Sequence, residues 1–168
     1  MSYQVRKARK EDLNTVLSIY ESARNFMAAH GNPNQWGKTN PPRELIEEDI
    51  RQQCLYVLTN ETGIHGVFMF KIFEDPTYGY IEDGAWHSNQ PYGVLHSVAG
   101  DGSGGILKAA VAFGDNFCDY LRMDTHAQNL PMQAALKRRG FQPCGVIHLL
   151  NGDPRLAYDR RKVFDKGL

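Results

Sequence analysis

The chain has 168 residues, a length suited to one domain that buries its own core without disulfides or a structural metal. Its 19 basic and 19 acidic side chains cancel, which removes any overall electrostatic claim on nucleic acid or membrane. Cys54, Cys118 and Cys144 are widely spaced and include no C-x-x-C pair, so they read as reduced thiols. No apolar run is long enough to span a bilayer, and the expected setting is the cytoplasm.

Residues 3–9 alternate in the manner of a first strand. Leu13, Val16, Leu17, Tyr20, Ala23 and Met27 then recur at three- and four-residue intervals, the stripe of an amphipathic helix that His30-Gly31 and Pro33 end. The Gly-, Asn- and Pro-rich segment 31–42 predicts an irregular loop. A second helix starts near Arg43, with Glu44, Glu47 and Glu48 where the helix dipole favours negative charge and Ile46 and Ile50 on its buried face. Residues 54–59 and 64–73 are β-branched and aromatic around turn chemistry at 60–63, which predicts an antiparallel hairpin.

A wetter stretch, 74–90, carries Tyr78, Tyr80, Trp86 and several acids, and a strand follows at 92–99. Next comes a loop with glycine at 100, 102, 104 and 105, then a helix buried through Ile106, Leu107, Ala110, Phe113 and Phe117. A strand from Tyr120 to Asp124 leads to a helix entered at Asn129-Leu130-Pro131 and closed by Gly140, and strands near 141–150 and 155–160 finish the chain. This order predicts a single α+β domain over 1–168, a mixed sheet of about six to seven strands with helices on both faces.

The segment with chemical content runs from strand 92–99 through the glycine loop into the following helix. A helix N-terminus offers orphan N–H groups and partial positive charge, and glycine lets an anion approach the backbone closely. The same residues also describe a plain turn. A P-loop is excluded, since Gly105 is followed by Ile106-Leu107 where Lys and Ser or Thr are needed. A dinucleotide fold is excluded too, since its glycine turn follows the first strand.

The stretch Leu121-Arg-Met-Asp-Thr-His-Ala-Gln-Asn129-Leu-Pro-Met132, with Gly140-Phe141 beyond it, resembles the second half of a GNAT N-acetyltransferase. The likeness is to bacterial members reading "DTH…N…M…GF", which also carry a loop like Gln35-Trp36 and a segment like Gly84-Ala85-Trp86…Pro91-Tyr92. It implies acetyl-CoA as co-substrate, no metal, and direct transfer of an acetyl group to a small-molecule or peptide amine. It also implies a V-shaped splay between strands 92–99 and 120–124 that admits the pantetheine arm. Ser97 and Val98 would pair with the arm, Gly100, Gly102, Ser103, Gly104 and Gly105 would hold the pyrophosphate, and Asn129 would bond the arm or cap its helix. The pattern departs at Ala99, where Arg or Gln is usual, and at Leu136, where many relatives have a protonating Tyr. Lys137, Arg138 and Arg139 would either reach the adenosine 3′-phosphate or complement a helix C-terminus.

Transfer needs a base to neutralise the amine. Glu82, in the aromatic-acidic stretch, is the first candidate and His96 the second. Trp36, Tyr80, Trp86 and Tyr92, with Tyr78, are the expected walls of the acceptor site, since aromatic faces near acids suit a cationic amine. His126 follows Asp124-Thr125 but lacks a second ligand at metal spacing and a serine elbow. The rival reading is a non-catalytic acyl-CoA sensor, and homodimerisation stays open. A small nucleotide-binding protein of unrelated α+β fold is the third alternative.

Overall fold

The computed structural model describes residues 2–162. Its elements run β1 (Gln4–Lys7), α1 (Leu13–Ala29), α2 (Arg43–Arg51), β2 (Leu55–Asn60), β3 (Gly63–Ile72) and β4 (Gly93–Gly100). They continue with α3 (Ile106–Gly114), β5 (Tyr120–Thr125), α4 (Leu130–Arg138), β6 (Gln142–His148) and β7 (Pro154–Arg161). That is the order expected from periodicity. The seven strands form one mixed sheet in the order β1-β2-β3-β4-β5-β7-β6, with β4 and β5 its one parallel pair and the other neighbours antiparallel.

Strand alternation sorts the core into layers. Leu58, Phe68, Phe70, Leu95, Leu121, Met123 and Tyr158 pack under α3 and α4 through Ile106, Ala110 and Leu136. On the opposite face, Val57, Val67 and Met69 meet Val16 and Tyr20 of α1 and Ile46 of α2. The rest of that face, with Val94, Ile147 and Ala157, lies under the irregular segment between β3 and β4, whose Tyr78 is buried. One expectation fails: α3 stops at Gly114, and Phe117 beyond it is 58% exposed instead of buried. The amides of Phe117 and Cys118 both donate to the Gly114 carbonyl in a last turn that leads into β5 at Tyr120.

The parallel pair is short. Only Gly93↔Leu121 and Val94↔Arg122 are partners, although β4 runs on to Gly100 and β5 to Thr125. Past Val94 the two strands separate as a V. Gly93 marks the closed end, where a Cβ would lie 2.7 Å from Cys118 Sγ and from the Phe70 ring. On its other edge β4 carries a bulge: Val67↔Ala99 and Met69↔His96 are in register, so Ser97 and Val98 together oppose Phe68. Ser97 adopts φ 54° there, and the Tyr20 hydroxyl donates to its carbonyl at 2.8 Å.

Candidate active site

The V is the floor of a groove. Between the open ends of β4 and β5 lies a cavity of about 300 Å³ with Trp36, His96, Ser97, Asp124 and Arg155 among its walls. A second cavity of about 540 Å³ runs from Val98 past Gly100, Gly102 and Gly104 to Ile106. Met27, Val98, Asn129 and Met132 border both, so the two cavities adjoin between the sheet interior and the glycine loop.

At the loop end, α3 begins from Gly105 in the left-handed region, φ 74°, with no side-chain cap. The amides of Gly102, Gly104 and Gly105 find no acceptor among the described residues. This is the donor set an anion requires. Ser103 differs from expectation in one respect: its amide is already committed to Asp101 Oδ1 at 3.0 Å. An acid in this loop would repel a diphosphate, but Asp101 Oδ2 is 2.7 Å from His65 Nδ1, which ties the carboxylate to β3. Burial raises the Asp101 pKa, yet the bonds from Ser103 and His65 prevail and hold it below its ordinary value. His65, absent from the sequence-based candidates, thus positions the loop. The Tyr3 hydroxyl adds a second tie by donating to the Gly104 carbonyl at 2.7 Å.

At the inner end, His96 Nε2 lies 2.7 Å from Asp75 Oδ2, and its Nδ1 faces Asp124 Oδ2 at 3.8 Å. Asp75 is 7% exposed and is itself held by Thr77, whose amide and hydroxyl both donate to Oδ1. Asp124 accepts from the Tyr78 hydroxyl at 2.7 Å. Burial works against a charge on His96, but the bond to Asp75 and then the Asp124 charge outweigh it and lift its pKa above the ordinary value. Burial likewise opposes the Asp75 charge, and the bonds from His96 and Thr77 overcome it and hold the carboxyl low. With Nε2–H given to Asp75, neutral His96 keeps its Nδ1 lone pair toward the cavity.

The remaining predicted residues divide. Of the four acceptor-site aromatics, Trp36 lines the cavity and packs edge-on to Tyr20. Trp86 and Tyr92 instead enclose the Arg122 guanidinium, 4.1 Å from each ring centre. Tyr80 is 65% exposed, its hydroxyl 3.3 Å from Glu82. Glu82 stands outside both cavities: its main chain exchanges two hydrogen bonds with Val146, and its carboxylate is 3.3 Å from His148 Nε2. Asn129 caps α4 by accepting from Met132 N–H at 3.1 Å, and its Nδ2 donates to Gln35 Oε1 at 2.9 Å. Gln35 Oε1 also receives Asn32 Nδ2, so the 31–42 loop is fastened over the open side of the V. Leu136 is wholly buried in the core. Lys137 and Arg138 close α4, and the Arg139 carbonyl accepts from Arg160. Sequence reasoning assigned no role to Asp75, Asp124 or Arg155; the acid-Thr-His run at 124–126 was the available signal for one of them.

No family model and no curated protein matches the chain. Solved structures do. A GNAT-family acetyltransferase from Streptococcus agalactiae is 27% identical, with 96% of each chain covered and a TM-score of 0.85. A GNAT-family acetyltransferase from Listeria monocytogenes shares 17% identity over 95% of this chain and 94% of its own, TM-score 0.69. A ribosomal-protein-alanine N-acetyltransferase from Brucella melitensis shares 19% over 94% and 99%, TM-score 0.62. The latter two likenesses speak for the fold alone. Among the described residues no helix is long and apolar enough to cross a membrane. The mixed sheet, the V between β4 and β5 and the streptococcal likeness together show that the chain has the fold of the GNAT acetyltransferases.

Proposed function

We propose that this protein moves an acetyl group from acetyl-CoA to a primary amine by direct attack within a ternary complex. The observation that carries the reading is the pair of adjoining cavities, with unpaired loop amides at one end and a His96–Asp75 pair at the other. Acetyl-CoA supplies the acetyl group as a thioester. The glycine-loop amides and the α3 dipole suit its pyrophosphate, and the main chain of Ser97 and Val98 at the bulge suits the pantetheine arm. An N–H near Val98 would polarise the thioester carbonyl.

An ammonium entering the 300 Å³ cavity meets the Asp124 carboxylate. His96 Nδ1, oriented through Asp75, takes one proton from it. The nitrogen then bonds to the acetyl carbon as the carbon–sulfur bond breaks; its second proton passes to solvent, and the sulfur leaves as free thiol after receiving the first proton back from His96. No protein nucleophile is required, so all three cysteines are expected to be dispensable. Placing the base at His96 sets aside Glu82, which the fold holds against Val146. Thiol release measured over a panel of amines tests the reading. Turnover that responds to amine supports it; coenzyme A binding by calorimetry without turnover on any amine would favour the sensor, which the buried Leu136 also suits.

A further inference from the structure

We propose that the acceptor carries a carboxylate as well as its amine, and that Arg155 is the residue that grips it. This rests on the transferase reading for its chemistry, but on an independent observation for its evidence. Arg155 lines the 300 Å³ cavity, yet it is only 5% exposed. Its guanidinium donates to the carbonyls of Pro154 at 2.9 Å and Gln35 at 3.0 Å, and it has no carboxylate partner among the described residues. A guanidinium offers five N–H donors, so these two bonds leave most of its capacity unused.

Buried charges in proteins are ordinarily paired. The other arginines with little exposure follow that rule in their own ways. Arg160 forks onto Asp115 at 2.6 and 3.1 Å. Arg122 lies between the Trp86 and Tyr92 rings and bonds the Tyr120 hydroxyl, which in turn donates to Asp159. Arg155 has neither arrangement. Its field is felt nearby: burial and then the Arg155 charge depress the His126 pKa.

The strand register shows why an acceptor would bridge the two charges. Asp124 pairs with Ala157 across the β5–β7 ladder, and Arg155 lies two residues before Ala157. Asp124 and Arg155 are therefore diagonal neighbours on one face, with Cα atoms about 7–8 Å apart. Asp124 is engaged by Tyr78 and His96 and not by Arg155. A compact molecule with an ammonium at one end and a carboxylate at the other matches both groups. The planar fork of arginine suits a carboxylate in two-point contact. An amino acid or a short amino-carboxylic acid is the implied class.

The test compares matched pairs, each an amino acid beside the amine left when its carboxylate is removed, in the thiol-release assay. The acid member is expected to be favoured in kcat/KM by at least about 100-fold, as for a site built around a polar partner. Arg155→Met should narrow that ratio to within about threefold by lowering the acid member alone, with coenzyme A affinity unchanged by calorimetry. Equal use of both members by the native protein, or equal loss on both in the variant, would overturn the proposal. Should the variant fail to fold, the native protein still decides: propionate is expected to compete with the amine and propionamide is not, and the reverse outcome refutes it. If no amine turns over, the transferase reading fails separately. Calorimetry with amino acids on the coenzyme A complex then judges Arg155: binding that Arg155→Met abolishes supports the assignment, and no binding to native protein ends it.

Discussion

Two histidine–aspartate pairs sit against the same segment of chain, and they differ in what surrounds the ring. His96 gives Nε2 to Asp75 at 2.7 Å and turns Nδ1 toward Asp124 and a cavity. His87 approaches Asp159 at 2.6 Å through Nδ1, and that same nitrogen is 3.4 Å from Cys144 Sγ. Asp159 also accepts the His87 amide and the Tyr120 hydroxyl. Burial, then the bond to Asp159, pushes the Cys144 thiol up, so it is held protonated and unreactive. His87 borders neither cavity. The second pair closes a structural knot; the first is open to a ligand. A histidine–acid contact acquires chemical meaning only where the ring borders a space that a ligand can enter.

The largest expected effect comes from striking the two histidines in turn. His96→Gln should lower kcat by about 10²–10⁴-fold, the range for loss of a positioned base, whereas His87→Gln should leave turnover on the same amine nearly intact. Comparable losses would erase the distinction. A second test removes the frame that carries both pairs. A Cβ at Gly84 would lie 1.9 Å from the Cys144 carbonyl oxygen, so Gly84→Ala is expected to cost about 3 kcal/mol. Denaturant melts check this, and an unchanged midpoint would show that the 73–92 segment docks differently.

A smaller effect appears in pH. A histidine whose folded pKa stands above about 6.5 lends stability that is complete below that pH and fades as pH rises through the folded value. Asp75, Asp124 and Asp49 are the acids that favour the charged His96. Thermal melts from pH 6 to 9 should therefore decline more steeply for native protein than for His96→Gln. Parallel curves would remove the charge from His96. Smallest of all, Glu82→Gln should change kcat by less than about twofold, because its side chain meets His148 and Tyr80 away from the groove; a loss approaching that of His96→Gln would return the base to Glu82.

Element order was readable because it is local. Val16 and Tyr20 recur on one helical face, and both are fully buried in the fold. The irregular turn between β4 and α3 was readable for the same reason, since four glycines in six residues disfavour regular structure. What decided the site was not local. Preferring His96, backed by Asp75, over Glu82 depends on the Tyr92 hydroxyl bonding the Asp75 amide at 2.9 Å and on Gly84 lying against β6. Neither contact has a periodic trace in an irregular segment. The bulge at Ser97 exists only relative to Phe68 on a partner strand. Arg155 read as an ordinary strand residue because its burial follows from β7 entering between β5 and β6.

That insertion has a bearing on how the molecule is made. β6 is laid down before β7 yet joins the sheet only through β7, apart from the short bridge to Glu82. A polypeptide emerging from the ribosome therefore presents β5 with one bare edge until the closing hairpin arrives as a unit. The cavity between β4 and β5 gains its Arg155 wall in that last event, so a nascent chain that has folded everything through α4 still has that cavity unfinished.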